Sequence, residues 1–121
     1  MPPIQVVLYQ ELDKTVSILR WLDGLKPKAK AKCLIKIERL KAAGHELRRP
    51  EADYLRDEIY ELRVGLDGIN YRMLYFFHGT AAVVISHGLI KGRIVPVRDI
   101  DKAIERRQSF ILNPDRHTYK E

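Results

Sequence analysis

Residues 61–72, "ELRVGLDGINYR", decide the fold of this 121-residue chain. Two short β-like runs flank Asp67-Gly68. Asp-Gly is a strong signal for a two-residue hairpin turn whose central residues both take positive φ. Counting outward from that turn sets Leu66 opposite Ile69 and Arg63 opposite Arg72. Directly opposed side chains share a sheet face, with Cβ atoms about 4.5–5.5 Å apart, and like charges there repel. Something must neutralise the pair. Glu61, on the same face two residues along the strand, could bridge the arginines from within. Alternatively, both guanidinium groups could grip the oxygens of an external phosphate.

The next turn is Gly79-Thr80, with glycine first as a type II′ turn prefers. It joins a strand over 69–78 to one over 81–87, and connections this short make neighbours antiparallel. Read as a two-residue loop, it sets His78 opposite Ala81, Phe76 opposite Val83, Leu74 opposite Ile85 and Arg72 opposite His87. A row Arg63, Arg72, His87 then crosses three strands, the first of them over 59–65. Just beyond, "HGLIKGRIVP" adds Lys91 and Arg93. Leu62, Tyr71, Met73, Tyr75 and Val84 fall on the opposite face and read as core.

Upstream, residues 4–9 are short, apolar and β-branched, as in a strand. "ELDKTVSILRWLDGLKP" spaces Val16, Leu19 and Leu22 at helical intervals and stops at Gly24. Pro27 suits the first turn of a second helix, whose apolar stripe is Cys33, Leu34, Ile37 and Leu40 and whose stop is Gly44. "HELRRPEADYLRD" reads as a polar connector. A last helix over 97–112 aligns Ile100, Ala103, Ile104 and Arg107, and Asn113-Pro114 stops it. The tail over 113–121 is expected to be mobile. The prediction is one α+β domain over 1–121: an N-terminal strand, a helical hairpin, a three-stranded antiparallel meander making four strands in all, and a C-terminal helix.

Charge narrows the function. A formal net charge of +6 points to an anionic partner. Lys28, Lys32, Lys36 and Arg39 lie along one side of the second helix, a solvated face or a surface for RNA phosphates. The lone Cys33 excludes an internal disulfide, and with no signal-like start the expected compartment is the cytoplasm. No apolar run reaches membrane-spanning length, so no membrane partner is expected. No Gly-rich phosphate loop and no His/Cys or carboxylate cluster at ligand spacing occurs, so neither metal nor cofactor is expected.

The same row suits metal-free phosphodiester cleavage. Attack by the RNA's own 2′-hydroxyl needs a proton acceptor, cations on the developing phosphorane charge and a donor for the leaving 5′-oxygen. Arg63, Arg72, Lys91 and Arg93 could stabilise charge, and His87 could act as acid or base. Glu61 is a second base, a poorer one if salt-bridged.

The element order, with "YELRV", "NYRMLYFF", "ISHGLIKGRIVP" and "DIDKAIERR", resembles the RelE/ParE superfamily of toxins from bacterial toxin–antitoxin pairs, most of all its phage-derived HigB-like branch. The likeness covers about residues 4–110. It implies a ribosome-dependent mRNA endonuclease, acting on messenger in the ribosomal A site and inhibited by a small antitoxin, here of HigA-like helix-turn-helix type. It implies that Arg63 and Arg72 hold the scissile phosphate, with Lys91 or Arg93 as the later basic residue and His87 as the histidine of the "HG" signature. Lys28, Lys32, Lys36 and Arg39 become contacts to ribosomal RNA. Some members have a lysine where this chain has Glu61, and a late tyrosine that it lacks. Two other readings compete: a ParE-like DNA gyrase poison, and a catalytically inert nucleic-acid or partner-binding domain of the same fold.

Overall fold

A computed structural model describes residues 4–120 of the chain. The order is β1 (Gln5–Leu8), α1 (Ser17–Asp23), α2 (Pro27–Ala43), β2 (Ala52–Arg56), β3 (Ile59–Leu66), β4 (Ile69–His78), β5 (Ala82–Lys91) and α3 (Val97–Leu112). Short 3₁₀ turns follow α2 and α3. The strands form one mixed sheet in the order β1-β5-β4-β3-β2, in which only β1 on β5 is parallel.

The deciding hairpin forms as the sequence predicts. Asp67 and Gly68 have φ of 52° and 76°, and Leu66 pairs with Ile69 and Arg63 with Arg72. Pro27 opens α2 and Gly44, at φ 54°, closes it.

Three expectations are corrected here. The sheet has five strands, not four, because part of the polar connector is β2, paired antiparallel with β3. Its turn, Asp57-Glu58, adopts positive φ at both residues without a glycine to announce it. The loop after β4 is one residue longer than read, so His78 pairs with Ala82. A bulge then passes from Tyr75–Ile85 to Leu74–His87. The two shifts add, so Arg72 faces Leu89 while His87 faces Leu74. His87 therefore stays on the expected face, one rung from the expected row. Between loop and bulge the faces of β5 exchange, and Val83 packs towards the helical hairpin while Val84 packs towards α3. β5 also runs on through Gly88 to Lys91.

Apolar packing covers both faces of the sheet. On one, Ile18 and Leu22 of α1 and Cys33 and Leu40 of α2 meet Leu62, Met73, Tyr75 and Ile85. On the other, Ile100, Ala103 and Phe110 of α3 meet Ile59, Leu74, Phe76 and Val84. Leu34 turns outward, and Ala29 takes part in the α2 stripe instead. In α3 the fully turned-in arginine is Arg106, not Arg107.

The tail expected to be mobile is docked. His117 is buried, stacks on Tyr9 at 4.9 Å and donates from Nδ1 to the Gln10 carbonyl, while Tyr119 N–H bonds Leu8 O. Glu121 lies outside the described residues.

Candidate nucleic-acid interface

The opposed arginines are bridged from within. Glu61 is 2% exposed, its Oε1 accepts from Arg63 Nε at 2.8 Å, and its Oε2 lies 3.5 Å from Arg72 Nε. The second contact is too long for a hydrogen bond, so Glu61 Oε2 and Arg72 Nε are ion-paired without one. Arg72 Nη1 donates to Tyr71 O, and Arg63 Nη2 reaches Asp53 Oδ2 at 3.2 Å. Burial pulls the Arg72 pKa down and Glu61 pushes it back up, with Arg63 adding a smaller downward pull. A guanidinium remains charged through such shifts.

Beyond Leu62 the outer side of β3 keeps one backbone bond, Arg63 N–H to Glu51 O at 2.8 Å, and among the described residues no strand pairs with it further on, since β2 begins its pairing at Leu62. A groove of about 520 Å³ lies at this open edge, where Lys32 and Lys36 of α2 meet Arg63, Asn70 and Arg72 of the sheet. Ile35, 63% exposed, gives it an apolar lip. Lys32 Nζ donates to Gly65 O at 3.0 Å, tying α2 to the end of β3.

The basic side of α2 is not uniformly free. Glu51 takes Lys36 at 3.1 Å and Arg39 at 2.7 Å. These hydrogen bonds, Arg39's first, hold the Glu51 carboxyl down to about 2, so it is ionised through the working range. Lys28 is exposed and forms no ion pair among the described residues. Lys91 pairs with Asn70 and so shares the face of Arg72, while Arg93 is exposed in the loop after β5.

His87 is set apart from the groove. Ser86 Oγ lies 2.7 Å from Nδ1 and Asp99 Oδ1 3.2 Å from Nε2, so a neutral ring accepts from Ser86 and donates to Asp99. Burial first, then Arg106, push its pKa down to about 4 despite the opposing pull of Asp99. Ser86 is fully buried, so its own hydroxyl is closed to a substrate, while His87 keeps a small exposed fraction and Asp99 is partly exposed. Arg106 completes it, donating to Ser86 O at 2.9 Å and Ser17 Oγ at 2.9 Å and pairing with Glu11.

Sequence reasoning brings Glu61, Arg63 and Arg72 together correctly and misses Asp53, Glu51, Asp99 and Arg106. Asp53 and Glu51 belong to the overlooked strand and its approach. Arg106 and Glu11 stand 95 residues apart, with no local pattern to link them. Among the described residues no three His, Cys, Asp or Glu side chains converge as metal ligands, and no helix is long and apolar enough to cross a membrane.

Fold and groove define a small basic α+β domain with a largely buried Glu61 bridging two arginines beside a charged groove lined by Lys32, Lys36, Arg63, Arg72 and Glu51. The family model described as "Phage derived protein Gp49-like (DUF891)" matches residues 20–108. The chain belongs to that family, which is associated with toxin–antitoxin systems. No curated protein matches it.

Proposed function

We propose that this chain is the toxin of a type II toxin–antitoxin pair, of the RelE/ParE superfamily and its HigB-like branch. It acts in the cytoplasm as an endoribonuclease on messenger in the ribosomal A site, and a small helix-turn-helix antitoxin holds it in check. The observation that carries the reading is the groove round the sheet edge that Arg63 and Arg72, fixed by Glu61, line together with Lys32 and Lys36. Family membership supports the toxin half of the proposal.

In the reaction, the 2′-oxygen bonds to phosphorus as the bond from phosphorus to the 5′-oxygen breaks, leaving a 2′,3′-cyclic phosphate and a 5′-hydroxyl. The 2′ proton leaves to water and the 5′-oxygen takes a proton from water. Arg63 and Arg72 donate to the non-bridging oxygens as charge grows on them, with Lys91 on the same face and Arg93 in the loop beyond it. Fixed donors of this kind are worth about 100-fold or more each in rate. Glu61 is a positioning residue, because its carboxylate is ion-paired with both arginines. His87, neutral and enclosed, orders β5 against α3. Lys28 and Lys32 are the α2 cations best placed for ribosomal RNA, since Glu51 occupies Lys36 and Arg39.

The test induces the chain without antitoxin and maps new 5′ ends on translated and untranslated copies of one transcript. A triple variant, Glu61→Leu/Arg63→Met/Arg72→Met, strips the charge while sparing the fold from a lone buried ion. Cuts confined to the translated copy, and absent with the triple variant, are expected. Growth arrest without cuts would instead favour a gyrase poison, and neither arrest nor cuts an inert binding domain.

A further inference from the structure

A second cavity lies on the other side of the connector that carries Glu51. It measures about 320 Å³, at the lower end of small-ligand sites, and is walled by Arg48, Arg49, Tyr54 and Tyr60. Tyr54 is 49% exposed on the edge strand, and its hydroxyl accepts from Glu58 N–H at 3.1 Å, which pins the ring. Behind it the aromatic packing continues inward. Tyr60 meets Tyr54 edge-on at 5.1 Å, stacks on Tyr75 at 5.4 Å and meets Phe77 at 5.3 Å. An exposed ring this well backed costs little entropy to stack upon.

We infer that this cavity is a subsite for one unpaired nucleobase of a single-stranded RNA, whose backbone runs on into the arginine groove. The inference rests on the endonuclease reading and extends it to a second contact. Continuity between the two sites is direct. Asp53 Oδ2 takes Arg49 at 2.9 Å and Arg63 at 3.2 Å, so the guanidinium at the cavity rim and the one in the groove share an oxygen. Asp53 is thereby paired with both, and its carboxyl is held below the usual range, first by Arg49. Arg48 is exposed and makes no ion pair among the described residues. An aromatic face with guanidinium groups beside it matches a base and its phosphate, since bases of any sequence stack and Arg adds cation–π attraction. An acidic peptide would use the arginines but leave the ring face without a stacking partner.

The experiment measures fluorescence anisotropy of a labelled eight-nucleotide single-stranded RNA with the full chain, over a range of salt. Tyr54→Ala should weaken binding by roughly 5- to 100-fold, with Tyr54→Phe restoring it. The salt slope should survive Tyr54→Ala but fall by about 0.7 with Arg48→Ala, and by less with Arg49→Ala, whose guanidinium is already paired with Asp53. Thermal melting of each variant separates binding loss from unfolding. Equal affinities of the parent and Tyr54→Ala would overturn the subsite, as would a parent that binds no RNA. A glutamate-rich peptide that needs Tyr54 when RNA does not would transfer the surface to a protein partner. Ribosome-dependent cuts judge the endonuclease reading separately, so unaltered cuts and unaltered affinity in Tyr54→Ala would sink only the subsite.

Discussion

Glu61 resolves the conflict built into the hairpin. Two arginines on one rung are tolerated because a carboxylate on the next rung pairs with both. Removing that carboxylate leaves two crowded guanidinium groups, one of them nearly enclosed. Glu61→Ala is expected to cost about 3–5 kcal/mol in urea unfolding, while the Leu/Met/Met triple replacement is neutral or stabilising. His87 sets a different signature. Its pKa is near 4 when folded, against a reference of 6.5, so only the unfolded chain takes up the proton between those values. Stability should therefore fall as pH drops from about 6.5 to 4, by on the order of 3 kcal/mol, and level off below for this group. The carboxylates with lowered pKa, Glu51 and Asp53, lose their contribution only at lower pH. Unfolding curves at stepped pH should lose the upper slope in His87→Leu and keep the lower one.

At the scale of elements, the legible parts were those with a glycine or proline to mark them. Asp67-Gly68 sets the register of β3 on β4, and Pro27 and Gly44 bound α2. The β2–β3 turn uses Asp57-Glu58 in the same backbone region, and composition gave no sign of it. The bulge beside Ser86 was equally silent, since one extra residue in β5 leaves its apolar pattern plausible in either register. What the bulge achieves is visible in the pair His87-Gly88. His87 turns to α3, and Gly88 turns to α1, where a Cβ would overlap the Trp21 ring. Trp21 lies against bare backbone and meets Tyr71 edge-on at 6.2 Å. Gly88→Ala should therefore push the indole away at a cost of about 1–3 kcal/mol, with a shift in Trp21 fluorescence. Trp21→Leu should recover part of that loss, a coupling that a double-mutant cycle would measure. Additive losses would mean that the close approach is not what the glycine serves.

For the molecule as a whole, the net charge of +6 is less informative than its distribution. The sequence presents Lys28, Lys32, Lys36 and Arg39 as one continuous basic face, but the fold brings Glu51 from the far side of a turn to occupy half of it. A cation already hydrogen-bonded to a carboxylate must break that contact to meet a phosphate, so it releases fewer counterions on binding RNA. Glu51→Gln tests this directly, because it removes one negative charge and frees two cations beside the groove. RNA affinity should rise, and the slope of log affinity against log salt should steepen by up to about 0.7 for each freed cation. The effect on melting temperature should be small, since ion pairs near the surface add little to stability. The opposite result, unaltered or weaker binding with an unaltered slope, would mean that Lys36 and Arg39 face away from the RNA. In that event Lys28 and Lys32, the latter tied to Gly65 O at the groove's mouth, are left as the contacts from α2, and the strand passes Lys36 and Arg39 on the side of the sheet edge.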